Sequence, residues 1–227
     1  MKNQQQNTLF REIITTADGS TSIHIPAWNE QYHSKHGAIQ EAYHVFIKSG
    51  LSFVNKTELS ILEIGLGTGL NCFITFLEGK QRNLKINYTG VEAFPINEKE
   101  KKLLNFVKQL KAVEYQRVFD QIHESNWDIK TALSARFIFE KQQRKFQEIT
   151  TKSTHDLIYF DAFGPRVQPE LWTEAIFKKM YDALKKGGVL VTYSAKGSVR
   201  RAMISVGFTV EKIPGPPGKR EMLRAVK

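Results

Sequence analysis

The chain has 227 residues, 41% of them hydrophobic and 11% aromatic, which suits one domain with a sizeable core and excludes both two full domains and a disordered tail. Its 33 Lys and Arg outnumber 23 Asp and Glu, a formal net charge of +10, which draws a protein toward polyanions such as nucleic acid or else marks a merely basic surface. No apolar run has the length of a membrane span, Met1 to Asn7 is polar without the apolar core of a secretion signal, and Cys72 is the only cysteine, so the expectations are no membrane, a cytoplasmic location and no intrachain disulfide.

Residues 12–25 read as a β-hairpin. The β-prone runs Ile13–Thr16 and Ser22–Ile25 flank Asp18-Gly19, a dipeptide that favours hairpin turns, and Pro26 ends the second run. Ile39, Ala42, Tyr43 and Phe46 then recur at helical spacing, which predicts a helix over about 38–48. His33 and His36 stand three apart with no third ligand nearby, so no metal site is expected.

From residue 61 strands and helices alternate. The run Ile61–Ile64 enters Gly65-Leu66-Gly67-Thr68-Gly69, and a helix follows over 71–77. A strand, a glycine-rich turn and a helix bring backbone N–H groups to a ligand without interference from Cβ atoms. The dinucleotide fingerprint G-x-G-x-x-G would need glycine at position 70, which is Leu70. Cys72, just past the turn, reads as a small buried hydrophobe and not a nucleophile. Ile86–Val91 is the next strand, and Glu92 at its end is placed to accept the two hydroxyls of a ribose.

Leu103, Phe106, Val107 and Leu110 share helical spacing, with Lys99-Glu100-Lys101-Lys102 as the wet face. Arg136–Glu140 is a further strand, and Leu157–Phe160 is a buried one that delivers Asp161 to its carboxyl end. Open α/β sheets bind ligands at those ends. Trp172, Ala175, Ile176 and Ala183 fall on one helix, and Val189–Tyr193 is a strand. Finally, Phe208–Lys212 and Glu221–Ala225 flank Pro214-Gly215-Pro216-Pro217-Gly218 and should pair antiparallel. His123 and His155 carry no motif. The expected fold is α/β: a mostly parallel, Rossmann-like sheet closed by an antiparallel C-terminal hairpin. Residues 1–55 form a hairpin-and-helix extension packed on residues 56–227, the whole being one structural unit.

Glu63, two residues before G-x-G-x-G, resembles the first motif of class I S-adenosylmethionine-dependent methyltransferases. Asp161-Ala162-Phe163-Gly164-Pro165 stands where amino-methyltransferases carry an Asp/Asn-Pro-Pro-aromatic motif. The chemistry explains the acid: an ammonium has no lone pair, so an acceptor amine must be deprotonated and aligned. The bland alternative makes Asp161 a turn-starting cap before Gly164-Pro165.

Five stretches run in order over nearly the whole chain: Tyr32–Glu41, Glu63–Asn71, Asp161–Pro165 with Gln168–Thr173, Tyr193–Arg201, and Gly207–Val210 with Gly218–Leu223. Together they resemble the MnmD-type tRNA methyltransferases, stand-alone counterparts of the N-terminal domain of the bifunctional MnmC enzymes. The resemblance implies N-methylation of 5-aminomethyl-2-thiouridine, or its non-thiolated form, at the wobble position in the tRNA anticodon loop. The product is 5-methylaminomethyl-2-thiouridine and the cofactor S-adenosyl-L-methionine. It implies Asp161 at the reaction centre, with Glu63, Gly65, Gly67, Gly69, Asn71, Glu92 and Asp161 around the cofactor. Tyr32, His33, Lys35 and His36 form a lid or substrate wall, and Phe163 packs on the acceptor base. Lys196, Arg201, Lys219 and Arg220, beside Arg200 and Arg224, contact phosphates if they converge at the strand ends.

One departure concerns the adenine. The family usually carries an acid after the third strand, whereas 141–146 here has none, so Gln143 or backbone groups take that contact. A flavin domain finds no room in 227 residues, so a separate enzyme must make the aminomethyl substrate. Two alternatives stand beside this reading. One is a same-fold methyltransferase or aminopropyltransferase acting on a small-molecule amine, and the other a non-catalytic RNA-binding protein on this scaffold.

Overall fold

Residues 9–227 are described by the computed structural model; the polar start at residues 1–8, which includes Met1 to Asn7, lies outside them. The chain opens with an antiparallel three-stranded sheet. In it β1 (Glu12–Thr15) pairs with β2 (Thr21–Ile25), Ile13 opposite Ile23, across the expected turn where Gly19 has a φ of 81°. A short β3 (Glu30–Gln31), without a signal in the sequence, joins the other edge of β2. Pro26 does end β2, by starting a 3-10 turn over Pro26–Trp28.

The next helix begins as expected with α1 (Ala38–Ala42) but continues as a π-helical segment, Tyr43–Leu51. That winding keeps Val45, Phe46, Ile47 and Leu51 all buried. Gly50 lies so near the sheet that a Cβ there would stand 3.0 Å from Val191.

The main sheet takes its strands from β4 (Glu58–Ile64), β5 (Lys85–Glu92), β6 (Thr131–Ser134), β7 (Phe137–Gln143), β8 (His155–Phe160), β9 (Leu184–Thr192), β10 (Thr209–Pro214) and β11 (Glu221–Val226). Their order is β10-β11-β9-β8-β4-β5-β7-β6. The five central strands β9, β8, β4, β5 and β7 are parallel, whereas β6 pairs antiparallel with β7 and β11 antiparallel with both β9 and β10. Every strand expected from residue 61 onward is present. Only β6 was not expected, since its single buried residue, Leu133, leaves no apolar run.

Parallel strands are buried on both faces. Ile61, Tyr88, Phe139 and Tyr159 pack on one side with the π segment and α2 (Leu70–Gln81), which carries the fully buried Cys72. Leu62, Ile64, Ile158, Phe160 and Leu190 pack on the other, with α6 (Glu174–Ala183) and α7 (Gly197–Ser205). Between the two lie α3 (Glu98–Lys102), α4 (Phe106–Gln109) and α5 (Gln116–Glu124) in sequence.

Three helix expectations need correction. Leu103 is not in one helix with Phe106; it is 57% exposed and caps the end of α3. Glu100 is not on a wet face: it is buried, closes a capping box with Asn97, and takes a 3.4 Å contact from Arg11. Trp172 lies not on α6 but on the 3-10 turn Pro169–Trp172 before it, and Thr173 caps α6. The N-terminal sheet is fastened to α4 by Asn105, which accepts from Thr21 N (2.8 Å) and donates to Gly19 O (2.9 Å). Among the described residues no helix is long and apolar enough to cross a membrane.

Candidate active site

Parallel pairing sets the carboxyl ends of β4, β5, β7 and β8 side by side, and the loops beyond them enclose a cavity of about 1310 Å³. Small-molecule pockets commonly hold roughly 300–1,000 Å³, so this one exceeds that range. The glycine turn after β4 forms its floor. Gly65, Gly67 and Gly69 have φ values of 89°, 50° and 73°, a region that favours glycine. A Cβ on Gly65 would stand 2.7 Å from the Asp161 carbonyl oxygen, and one on Gly67 3.1 Å from the Tyr32 ring.

At the end of β5, Glu92 lines the cavity and accepts from Gly67 N (3.0 Å) and Phe94 N (2.8 Å), one bond to each oxygen. Each oxygen keeps a lone-pair site. Gln143, at the end of β7 and opposite Glu92 in the register, lines the same wall with Lys145.

Glu63 and Asn71 are not on the wall. Glu63 is fully buried behind it, accepting from Asn71 Nδ2 (2.9 Å) and the Tyr88 hydroxyl (2.9 Å). Burial pushes its carboxyl well above the usual range, against the effect of these two donors. Asn71 Nδ2 also donates to Asp161 Oδ2 (2.9 Å), while its Oδ1 is buried with no partner among the described residues. Gly69 likewise is off the wall, with Ile122 and His123 against it. The glycine turn and the end of β8 are therefore joined by a chain, Tyr88–Glu63–Asn71–Asp161.

Asp161 does reach the cavity. Burial raises its carboxyl to about 7, with the charge of Glu41 acting the same way and Asn71 and Lys219 opposing. Phe163 lies edge-on to Tyr32 (4.9 Å between centroids) and Trp28 (5.4 Å), and its carbonyl accepts from Trp172 Nε1 (2.8 Å). His33 Nε2 is 2.7 Å from the Thr68 hydroxyl of the glycine turn, and burial lowers its pKa to about 4, so the ring is neutral at pH 7. Lys35, His36 and Lys219 also line the cavity.

Lys196, Arg201 and Arg220 do not line it. α7 buries Val199, Ala202 and Met203 against the sheet, which turns Lys196 and Arg201 to solvent, and Arg220 is exposed past the hairpin turn. Arg224 pairs with Glu211 (2.6 Å) and covers Phe53. Sequence reasoning gave no role to Glu41, Tyr193 or Arg11, all on the wall. Glu41 accepts from Ser34 N (2.7 Å) and from Lys219 Nζ (2.9 Å), a partner 178 positions away. No local pattern signals such a contact.

The family described as S-adenosyl-L-methionine-dependent methyltransferase matches this chain over residues 103–227. Among curated proteins, the tRNA 5-methylaminomethyl-2-thiouridine biosynthesis bifunctional protein MnmC of an Acidovorax species is 27% identical over 213 residues, 88% of this chain and 33% of its own length. The protein of the same name from Leptospira interrogans is 30% identical over 225 residues, 86% of this chain and 32% of its own. This chain thus spans about a third of the length of these relatives. The crystal structure of MNMC2 from Aquifex aeolicus shares the fold, with a TM-score of 0.78 at 23% identity over 97% of this chain and 71% of that one. The family match begins beyond the glycine turn and Glu92, but the matches to the MnmC proteins are long enough to include both.

Proposed function

The chain belongs to the S-adenosyl-L-methionine-dependent methyltransferase family, and from that premise we propose that it N-methylates the aminomethyl group of 5-aminomethyl-2-thiouridine at the tRNA wobble position. The observation that carries the reading is Asp161, a carboxylate at the end of β8 that lines the cavity and is held by Asn71.

The cofactor fits the residues present. The left-handed Gly65 and Gly67 let the turn pack directly against Asp161 and Tyr32 and present bare backbone to the cavity, and Glu92 has lone pairs free for ribose hydroxyls. Asn71, behind the wall, serves the methionine ammonium only through Asp161, to which its Nδ2 donates. On this reading Glu63 acts through Asn71, and Gln143 meets the adenine. When bound, S-adenosylmethionine supplies an electrophilic methyl: the N–C bond forms as the S–C bond breaks, and sulfur keeps the electron pair.

The chain's own task is the amine. An alkylamine arrives at neutral pH as an ammonium, and the Asp161 carboxylate takes one proton, becoming a carboxylic acid and leaving the nitrogen a lone pair. A carboxyl near 7 is matched to that exchange at neutral pH. Phe163, steadied by Tyr32 and Trp28, offers the uracil ring an aromatic edge. The wobble base lies in a single-stranded loop and is splayed out at little unpairing cost. Exposed Lys196, Arg201 and Arg220 contact its phosphates, and a separate enzyme provides the aminomethyl group.

The test is methyl transfer from labelled S-adenosylmethionine to tRNA from cells lacking the modification, read by nucleoside mass spectrometry. Gain of one methyl on the aminomethyluridine alone supports the proposal. Cofactor binding without transfer would redirect it to small-molecule amines, and absence of both would leave an RNA-binding scaffold.

A further inference from the structure

Glu41, Tyr193 and Lys219 form a cluster on the cavity wall that the mechanism above leaves unused. Three distant segments contribute: α1, the end of β9, and the turn between β10 and β11. Glu41 is buried, and its carboxylate accepts from Ser34 N (2.7 Å) and Lys219 Nζ (2.9 Å). The same ammonium lies 3.9 Å from the centroid of the Tyr193 ring. Tyr193 is fixed in turn, donating its hydroxyl to the carbonyl of Ala162 (2.8 Å), the residue after Asp161.

A primary ammonium held between a buried carboxylate and an aromatic face is a cation cage. Its carboxylate is sequestered at 11% side-chain exposure, whereas Lys219 is 36% exposed, so the lysine is the removable part. The turn that bears it contains Gly215 and Gly218, with Gly218 at a φ of 84° and seated against the His36 ring. The head of a lysine, –CH2–NH3+, is the same chemical group as the arm of an aminomethyluridine.

We infer that the Glu41–Tyr193 cage is the subsite for the substrate's ammonium, filled by Lys219 until the substrate displaces it charge for charge. The inference rests on the function proposed above. Exchange of one cation for another spares Glu41 from standing as a bare buried carboxylate. A uridine with a neutral 5-substituent offers no such exchange, so the cage selects for the amine before Asp161 takes its proton. The expelled ammonium of Lys219 becomes free to meet an RNA phosphate.

The test compares wild type, Glu41→Gln and Lys219→Met on an anticodon stem-loop bearing aminomethyluridine and on the same stem-loop with plain uridine. Glu41→Gln is expected to raise KM for the aminomethyl RNA by at least about tenfold, with cofactor Kd unchanged and plain stem-loop Kd not raised. Lys219→Met is expected to lower KM for the free aminomethyl nucleoside, which has no phosphate for the lysine to contact. In wild type, the Lys219 side-chain NMR signal is expected to leave its ring-shifted position when the aminomethyl stem-loop is added with S-adenosylhomocysteine, and to stay with the plain one. Turnover by wild type with an unmoved Lys219 signal, or with unchanged KM in Glu41→Gln, would overturn the cage while leaving the function standing. Failure of wild type to methylate the aminomethyl RNA would remove both.

Discussion

At the scale of residues, Asp161 ties geometry to pH. Its carboxyl sits near 7 because burial and Glu41 disfavour the charge, and a base works only when deprotonated. With cofactor saturating, kcat/KM for aminomethyl RNA should rise with pH below about 7 and lose that limb in Asp161→Asn. The same variant should lose roughly 10²–10⁴-fold in turnover while binding the cofactor normally; an equal loss of both would make Asp161 a binding residue. The amine's own titration persists in both proteins, so the limb that vanishes is Asp161's. Stability carries the opposite sign. The folded state holds this proton more tightly than an unfolded chain, so the contribution is complete below the ordinary carboxylate pKa and is lost as pH rises through about 7. Melting curves should therefore show wild type losing stability relative to Asp161→Asn across that window.

Asn71 is the second residue whose removal is informative. It donates to two carboxylates at once, Glu63 and Asp161. Asn71→Ala should cost about 1–3 kcal/mol per stranded acceptor in denaturant unfolding and shift the Asp161 pH limb upward, since a donor that holds the carboxyl down is gone. Asp161 and Glu92 are legible in the sequence because each ends an apolar run, and the chemistry of α/β sheets lies at such ends. Glu41 and Lys219 are not, for the charge of each is matched only in three dimensions.

At the scale of elements, the glycine turn is a fit between two strand ends. Gly65→Ala puts a Cβ 2.7 Å from the Asp161 carbonyl in addition to the left-handed φ, so the end of β8 must move. Gly187 has a similar φ of 75° but open space around it. Gly187→Ala should cost only about 1–2 kcal/mol in unfolding and leave cofactor titration unchanged, whereas Gly65→Ala should weaken both. The central strands are legible because both their faces are apolar. The π winding after Ala42 is not, because its side-chain spacing reads like an ordinary helix, and the close approach of Gly50 to Val191 within it is tertiary. The break at Leu103 escapes for a similar reason: Asn105 serves the distant N-terminal hairpin.

At the scale of the whole molecule, the excess of positive charge becomes a measurable salt dependence. Replacing Lys196, Arg201 and Arg220 together with Ala should weaken tRNA binding and flatten its dependence on salt by roughly 0.7–0.9 log units per lost phosphate contact, with cofactor affinity unaffected. An unchanged slope would place the RNA elsewhere.

The strand order also has a consequence in time. β11 leaves the ribosome after every other described strand, yet it inserts between β9 and β10 and brings the preceding turn, with Lys219, to the cavity. Until it docks, β9 lacks its antiparallel neighbour and Glu41 lacks its Lys219 partner. The glycine turn and Asp161 thus belong to earlier segments than the lysine that closes the wall, and the candidate site is whole only once this last described hairpin has docked.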